Sequence, residues 1–233
     1  MQKIVVANWK AALSPGKTGV WLETFKKGYR PYPSLRVVLA SSFLQLPALA
    51  GELSAMEAVF LAAQDVSPFP PGKYTGAVPA AWLAGLADYV LIGHRERRKY
   101  FHETIQDAAN KAREAAAAGL RPILCLDRKE AGAQVAALDD HVREKTILAY
   151  TPGEAESLET AASPDEVADA AAYLSGLSGG RPVLYGGGVN AGNAAGFMAL
   201  PGVAGVMTAA GSLDPESFVK LLAGAGQAAA GSG

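Results

Sequence analysis

The chain has 233 residues, half of them apolar and 18% charged, with a formal net charge of −1. That balance gives no electrostatic bias toward nucleic acid or an anionic membrane, and the length suits a single domain with a large core. No apolar stretch approaches the ~18 residues of a membrane span and residues 1–10 carry no secretory pattern, so a cytoplasmic protein without a membrane partner is expected.

Short apolar runs alternate with helical patterns along the chain. Residues 3–8 (KIVVAN) read as a strand and lead into Asn8-Trp9-Lys10. Ser14-Pro15 then supplies a helix cap with proline at the first helical position, followed by Val20, Leu22 and Phe25. Residues 35–40 form the second strand, with a weak helix near 44–54; residues 58–63 form the third, with a weak helix near 79–86. The fourth strand, 89–92, ends in Gly93-His94-Arg95-Glu96-Arg97-Arg98, and an alanine-rich helix over 103–118 stops at Gly119. Residues 121–126 form the fifth strand. They carry the only cysteine, Cys125, which excludes an internal disulfide or a multi-cysteine zinc site and reads as a buried strand thiol. The sixth strand, 146–150, runs into Thr151-Pro152-Gly153-Glu154, and Ser163-Pro164-Asp165-Glu166 caps the next helix. Residues 182–185 precede Gly186-Gly187-Gly188-Val189-Asn190, and 203–207 precede Thr208-Ala209-Ala210-Gly211-Ser212. Asp214-Pro215-Glu216 opens a last helix, and the Gly/Ala tail 225–233 is expected to fray.

The strands are short, nearly continuously apolar and rich in Val, Ile and Leu, as befits parallel strands covered on both faces. Eight of them, each followed by a helix, make a repeat of roughly 29 residues, near the smallest βαβ unit. The expected architecture is α/β: a (β/α)8 barrel forming one domain over residues 1–224. An open doubly wound sheet is the alternative, weakened because no glycine fingerprint follows the first strand.

In such a barrel the reactive groups gather at the C-terminal ends of the strands. Taken singly, Lys10 reads as a surface lysine, His94 as a structural histidine, Glu96-Arg97-Arg98 as a solvated charge run and Gly186–Gly188 as a turn. Taken together, a lysine, a histidine and a glutamate at three mouths, with glycine-rich amides at a fourth, suit a small anionic substrate with a carbonyl to polarise. The lysine supplies charge, the histidine a hydrogen bond to oxygen, and the amides a nest for phosphate.

Several ordered stretches carry a resemblance: Ala7-Asn8-Trp9-Lys10, residues 63–77 (AQDVSPFPPGKYTGA), residues 92–101 (IGHRERRKYF), residues 185–190 (YGGGVN) and residues 212–218 (SLDPESF). Nearly end to end the chain is similar to the triosephosphate isomerase family. That family interconverts dihydroxyacetone phosphate and glyceraldehyde 3-phosphate in glycolysis and gluconeogenesis without a cofactor or metal, using a glutamate base, a neutral histidine electrophile and a closing lid. The resemblance implies that Asn8 and Lys10 bind substrate, that His94 polarises the carbonyl with Glu96 beside it, and that Gly186, Gly187, Ala209 and Ala210 meet the phosphate. It also implies a homodimer in which the loop carrying Thr75 reaches a neighbouring subunit.

The departures from the family pattern lie mostly on one side. Where the family reads AYEPVWAIGTG this chain reads AYTPGEAESLE, so Thr151 stands at the position of the base. Glu154 takes the hinge tryptophan position, and Ser157 and Glu159 take the two lid glycines. Gly188 replaces the latch serine, Ala209-Ala210 the glycine pair of the eighth loop, and Arg95 the serine after the histidine. The segment between the fifth and sixth strands is about a helix shorter than usual. A threonine hydroxyl cannot take a carbon-bound proton at neutral pH. Glu154, three residues on, is the candidate stand-in, although with Glu156 and Glu159 it loads the lid with charge that repels phosphate. Isomerase activity is therefore expected to be weak or absent. Two alternatives stand beside it: a silent dimeric barrel that binds a small anion or a protein partner, and a different enzyme acting on a non-phosphorylated substrate.

Overall fold

The computed structural model describes residues 2–152 and 160–231. Eight parallel strands close into a barrel in chain order: β1 (Lys3–Asn8), β2 (Leu35–Ser41), β3 (Val59–Ala63), β4 (Tyr89–Ile92), β5 (Arg121–Leu126), β6 (Ile147–Tyr150), β7 (Val183–Tyr185) and β8 (Val203–Thr208). The helices around them are α1 (Pro15–Gly28), α2 (Leu46–Leu53), α3 (Ala80–Leu83), α4 (Arg95–Phe101), α5 (Ile105–Ala117), α6 (Ala131–Ala136), α7 (Asp140–Lys145), α8 (Pro164–Leu177), α9 (Ala194–Ala199) and α10 (Pro215–Ala230). The chain is thus a (β/α)8 barrel, as its alternating runs imply.

Strand periodicity divides the core into two layers. Ile4, Val6, Val38, Ala40, Leu91, Ile123, Cys125, Ala149, Leu184 and Met207 fill the barrel interior. Their neighbours Val5, Ala7, Val37, Leu39, Val90, Leu124, Leu148 and Val206 face the helices. Cys125 is fully buried, and burial pushes its thiol up to about 12. At the closing seam the β7–β8 register slips between Val183 and Leu184. Gly205 sits at this slip, where an added Cβ would lie 1.9 Å from the Ile4 carbonyl oxygen, so only glycine lets β8 approach β1.

The helical layer departs from one helix per strand. After β4 the chain makes α4, turns at His102 with φ of 54°, and restarts at the Thr104–Asp107 capping box of α5. Between β5 and β6 the shortened segment still forms two helices, α6 and α7, of 6 residues each. The weak signal near 79–86 yields a single turn, α3. At the C-terminal end α10 continues to Ala230, with Ala225, Gly226 and Ala229 buried. Gly226 packs on the Tyr32 ring, 2.4 Å from where a Cβ would stand, so small residues there serve a close contact. Among the described residues no helix is long and apolar enough to cross a membrane, and no acidic, histidine or cysteine cluster could hold a metal ion.

Candidate functional site

The loops after β1, β4, β6, β7 and β8 enclose a cavity of about 550 Å³ at the C-terminal mouth. Asn8, Lys10, His94, Thr151, Gly186, Gly187, Ala209 and Ala210 all line it, so the barrel brings these expected site residues together. Glu96 lies beside this cavity. It lines an adjoining cleft of about 270 Å³ that shares Asn8, Lys10 and His94 with it.

Lys10 leaves β1 with φ of 51°, a left-handed backbone that costs an L-residue about 1–2 kcal/mol. Its neighbours hold it there. The Lys10 N–H donates to Asn8 Oδ1 at 3.1 Å, and Gln64 Nε2 donates to the Lys10 carbonyl at 3.0 Å and to the Ala40 carbonyl at 2.9 Å. The side chain then reaches Glu96, Nζ to Oε1, at 2.6 Å.

His94 caps α4. The Glu96 N–H donates to its Nδ1 at 3.3 Å, which assigns the imidazole proton to Nε2. Burial lowers the His94 pKa to about 4; Lys10, Arg98 and Arg95 push the same way and Glu96 opposes them. The ring is therefore neutral at pH 7, a donor to a carbonyl oxygen rather than an acid.

Beneath His94 the charge run turns inward instead of facing solvent. Arg98 donates to the carbonyls of Gly93 and Cys125 and pairs with Asp127 at 2.7 Å. Arg97 pairs with Asp65 at 2.8 Å, and Lys111 bonds Asp65 at 2.6 Å and Glu103. Glu103 also accepts from the Gly93 N–H at 2.8 Å, tying this network to the residue before His94. Lys111 and Glu103 are both buried. The signal that would have found them is Glu103 and Lys111 eight residues apart across one turn-and-helix junction, with Asp65 inside a recognisable loop motif.

At the end of β6, Thr151 is 4% exposed. Its N–H donates to the Leu126 carbonyl at 2.8 Å, its hydroxyl reaches the same oxygen at 3.3 Å, and its methyl packs beside Gly186. Glu154, Glu156, Ser157 and Glu159 lie outside the described residues.

The opposite wall is backbone. Asn193 braces the Gly188 carbonyl at 2.9 Å and the Asn190 N–H at 2.9 Å, while the Thr208 hydroxyl donates to the Val189 carbonyl at 2.7 Å. Held this way, the N–H groups of Gly187 and Gly188 find no hydrogen-bond partner among the described residues; nor do those of Ala210 and Gly211, which open a 3-10 turn (Ala210–Ser212) after β8. Gly187 has no room for a side chain, since a Cβ would lie 2.8 Å from the Tyr185 hydroxyl. Ala209 and Ala210 both keep negative φ, so the methyls that replace the family's glycine pair strain nothing in the backbone. Trp9, Arg95 and Asn190 also line the cavity and were not singled out as ligand contacts from sequence.

Thr75 is exposed on the long loop after β3, near the stacked rings of Phe69 and Tyr74, whose centroids are 4.5 Å apart.

Fold and mouth together define a (β/α)8-barrel protein with a polar site gathered over the C-terminal ends of its strands. The family model described as triosephosphate isomerase matches residues 3–225. Triosephosphate isomerase of Paracidovorax citrulli is 33% identical over 96% of this chain and 98% of that protein. Those of Deinococcus radiodurans and Thermus thermophilus are each 34% identical, over 95% and 97% of this chain and 98% and 100% of theirs. The chain belongs to the triosephosphate isomerase family.

Proposed function

We propose that this chain is a homodimeric family member that binds a small phosphorylated metabolite in the cytoplasm and isomerises triose phosphates weakly or not at all. The observation that carries this is Thr151. It occupies the end of β6, where the family places its base, and among the described residues no carboxylate lines the cavity. His94 supplies the Nε2–H donor to a carbonyl oxygen, and Lys10, held by Glu96, supplies positive charge. The amides of Gly187, Gly188, Ala210 and Gly211, which meet no acceptor among the described residues, suit a phosphate group. What is missing is a group to take the carbon-bound proton. Absence of a positioned base costs about 10²–10⁴ in rate, or roughly 3–5 kcal/mol of barrier.

Dimerisation follows from the resemblance and is supported by the exposed Phe69–Tyr74 stack and Thr75 on the β3 loop. The cleft beside Lys10 and Glu96, lined by Phe43 and Phe101 at its rim, would receive that loop from a second copy. Sedimentation at micromolar concentration checks the state.

A coupled assay with glyceraldehyde 3-phosphate tests the catalytic reading on wild type, Thr151→Glu and Glu154→Gln. Wild type is expected at or near the blank, with Thr151→Glu raising turnover. Robust wild-type turnover that collapses in Glu154→Gln would show a displaced base and overturn the proposal.

A further inference from the structure

Two glutamines of the barrel use their amides fully, and a third does not. Gln45 is buried; its Oε1 accepts from the Ser42 N–H at 3.1 Å and from the Ser42 hydroxyl at 2.8 Å. Its Nε2 donates to the Leu13 carbonyl at 2.9 Å and to the Thr18 hydroxyl at 2.6 Å. Gln64 likewise donates to two carbonyls. Gln134, on α6, is 2% exposed, and neither its Oε1 nor its Nε2 meets a partner among the described residues. An amide sealed away from water loses the hydrogen bonds it made there, and protein interiors rarely leave such a group unpaired. An apolar side chain of the same length would suit a dry site better, so the amide itself needs a reason.

Its surroundings supply one. Gln134 Nε2 lies 3.7 Å from where a Cβ would stand on Gly93, and the Cys125 carbonyl oxygen lies 3.1 Å from the same point. Gly93 directly precedes His94 and has φ of 67°, a conformation that glycine both enters and leaves easily. Side chains brace it twice. Glu103 accepts from its N–H at 2.8 Å, and Arg98 donates to its carbonyl and to that of Cys125. Each of those carbonyl oxygens has a second lone pair to offer. We propose that Gln134 holds a buried water against the Cys125 and Gly93 carbonyls and is thereby a positioning residue for His94. A buried water makes about three hydrogen bonds, the number this set supplies. The water is then a third brace on Gly93, reaching it from α6 on the side where a glycine has no Cβ. This inference rests on the proposed role of His94 as a donor. Its readouts need neither ligand nor turnover, so its failure and the failure of that functional reading are distinguishable.

NOE and ROE spectra of the full-length protein test the water directly. Cross peaks from the Gln134 side-chain amide protons to water are expected, opposite in sign between the two spectra, which marks a resident water and not proton exchange. Their absence would overturn the proposal, whether or not any variant folds. Gln134→Met then removes the amide and keeps the length of the side chain. It is expected to lower the folding equilibrium constant by about ten-fold, the size of one hydrogen bond to a buried group, and to move the His94 ring signals at pH 7. Gln106→Met, at an exposed position on α5 whose amide bonds Asn110 at 3.1 Å, is the control and should leave those ring signals in place. A Gln134→Met protein as stable as wild type would show a dry amide and overturn the proposal. Lost stability with the His94 signals unmoved would overturn the positioning role.

Discussion

The two walls of the mouth are built from different materials. On the β1–β5 side the site is made of side chains: Lys10 on Glu96, and His94 above Arg97, Arg98, Lys111, Glu103 and Asp65. On the β6–β8 side it is made of main chain: open amides after β7 and β8, braced by Asn193 and Thr208. In the sequence reading, the departures from the family pattern fall mostly on the second wall, with Arg95 on the first as an exception. The buried network explains the first half of that contrast, because its charges also seal the helix α5 against the barrel, and removing one leaves another uncompensated in a poorly solvated place. The second wall asks little of its side chains. Thr151, Ala209 and Ala210 keep backbone conformations open to any residue, whereas Gly188, with φ of 55°, holds a left-handed one.

The sharpest way to break this contrast is to cut the first wall's network. Lys111→Ala strips Glu103 of its closest cation in a buried site and is expected to lower the unfolding free energy by about 3–5 kcal/mol in urea titrations. A loss below about 1 kcal/mol would show that the network is not what restrains that wall. On the second wall a comparable loss should come only from a backbone position. Gly205→Ala forces a Cβ onto the Ile4 carbonyl and should cost about 3 kcal/mol by the same measurement.

The neutral histidine sharpens the comparison through pH. Its folded pKa, about 4, lies below its ordinary value of 6.5, so the unfolded chain binds the extra proton first. Stability attributable to His94 is full above pH 6.5 and is lost as pH falls from there toward 4, by an amount on the order of 2–3 kcal/mol. His94→Gln should flatten that part of the stability curve, and the His94 ring proton shifts should not move between pH 8 and 6. A titration of that ring near 6.5 would contradict the buried, neutral arrangement. The smallest effect belongs to Ala209→Gly with Ala210→Gly. Because neither alanine is strained, restoring the glycines should destabilise by about 0.5–1 kcal/mol each at most, and should shift inorganic phosphate affinity by less than about three-fold.

The sequence made one wall more readable than the other, and for the same reason. Strand ends were legible to within about a residue, because parallel strands buried on both faces must be continuously apolar and have sharp limits. Asn8, Lys10, His94 and Glu96 stand out in the sequence because they are polar residues directly after apolar strands and lie in the stretches that carry the resemblance. Thr151 was legible only as a mismatch against a family pattern. The roles of Gln64, Asp65, Glu103 and Lys111 were hard to read, since the hydrogen bonds of Gln64 and the ion pairs of the other three form between segments that only the fold brings together. Helix lengths were read worst. Capping residues mark where α5, α8 and α10 begin, but the reach of α10 to Ala230 depends on packing such as that of Gly226 on Tyr32, which is a tertiary fact.

The open amides after β7 and β8 have a consequence for descent. Every residue except proline carries an N–H, so a cradle written in the main chain is inherited through the path of the backbone and not through the alphabet of its side chains. Mutation can wander across Ala209 and Ala210, whose φ values suit any residue, while Gly187, with no room for a side chain, and Gly188, with φ of 55°, stay bound to glycine. Inheritance of that kind lets a lineage change its vocation on the other side of the pocket without first surrendering its hold on the ligand.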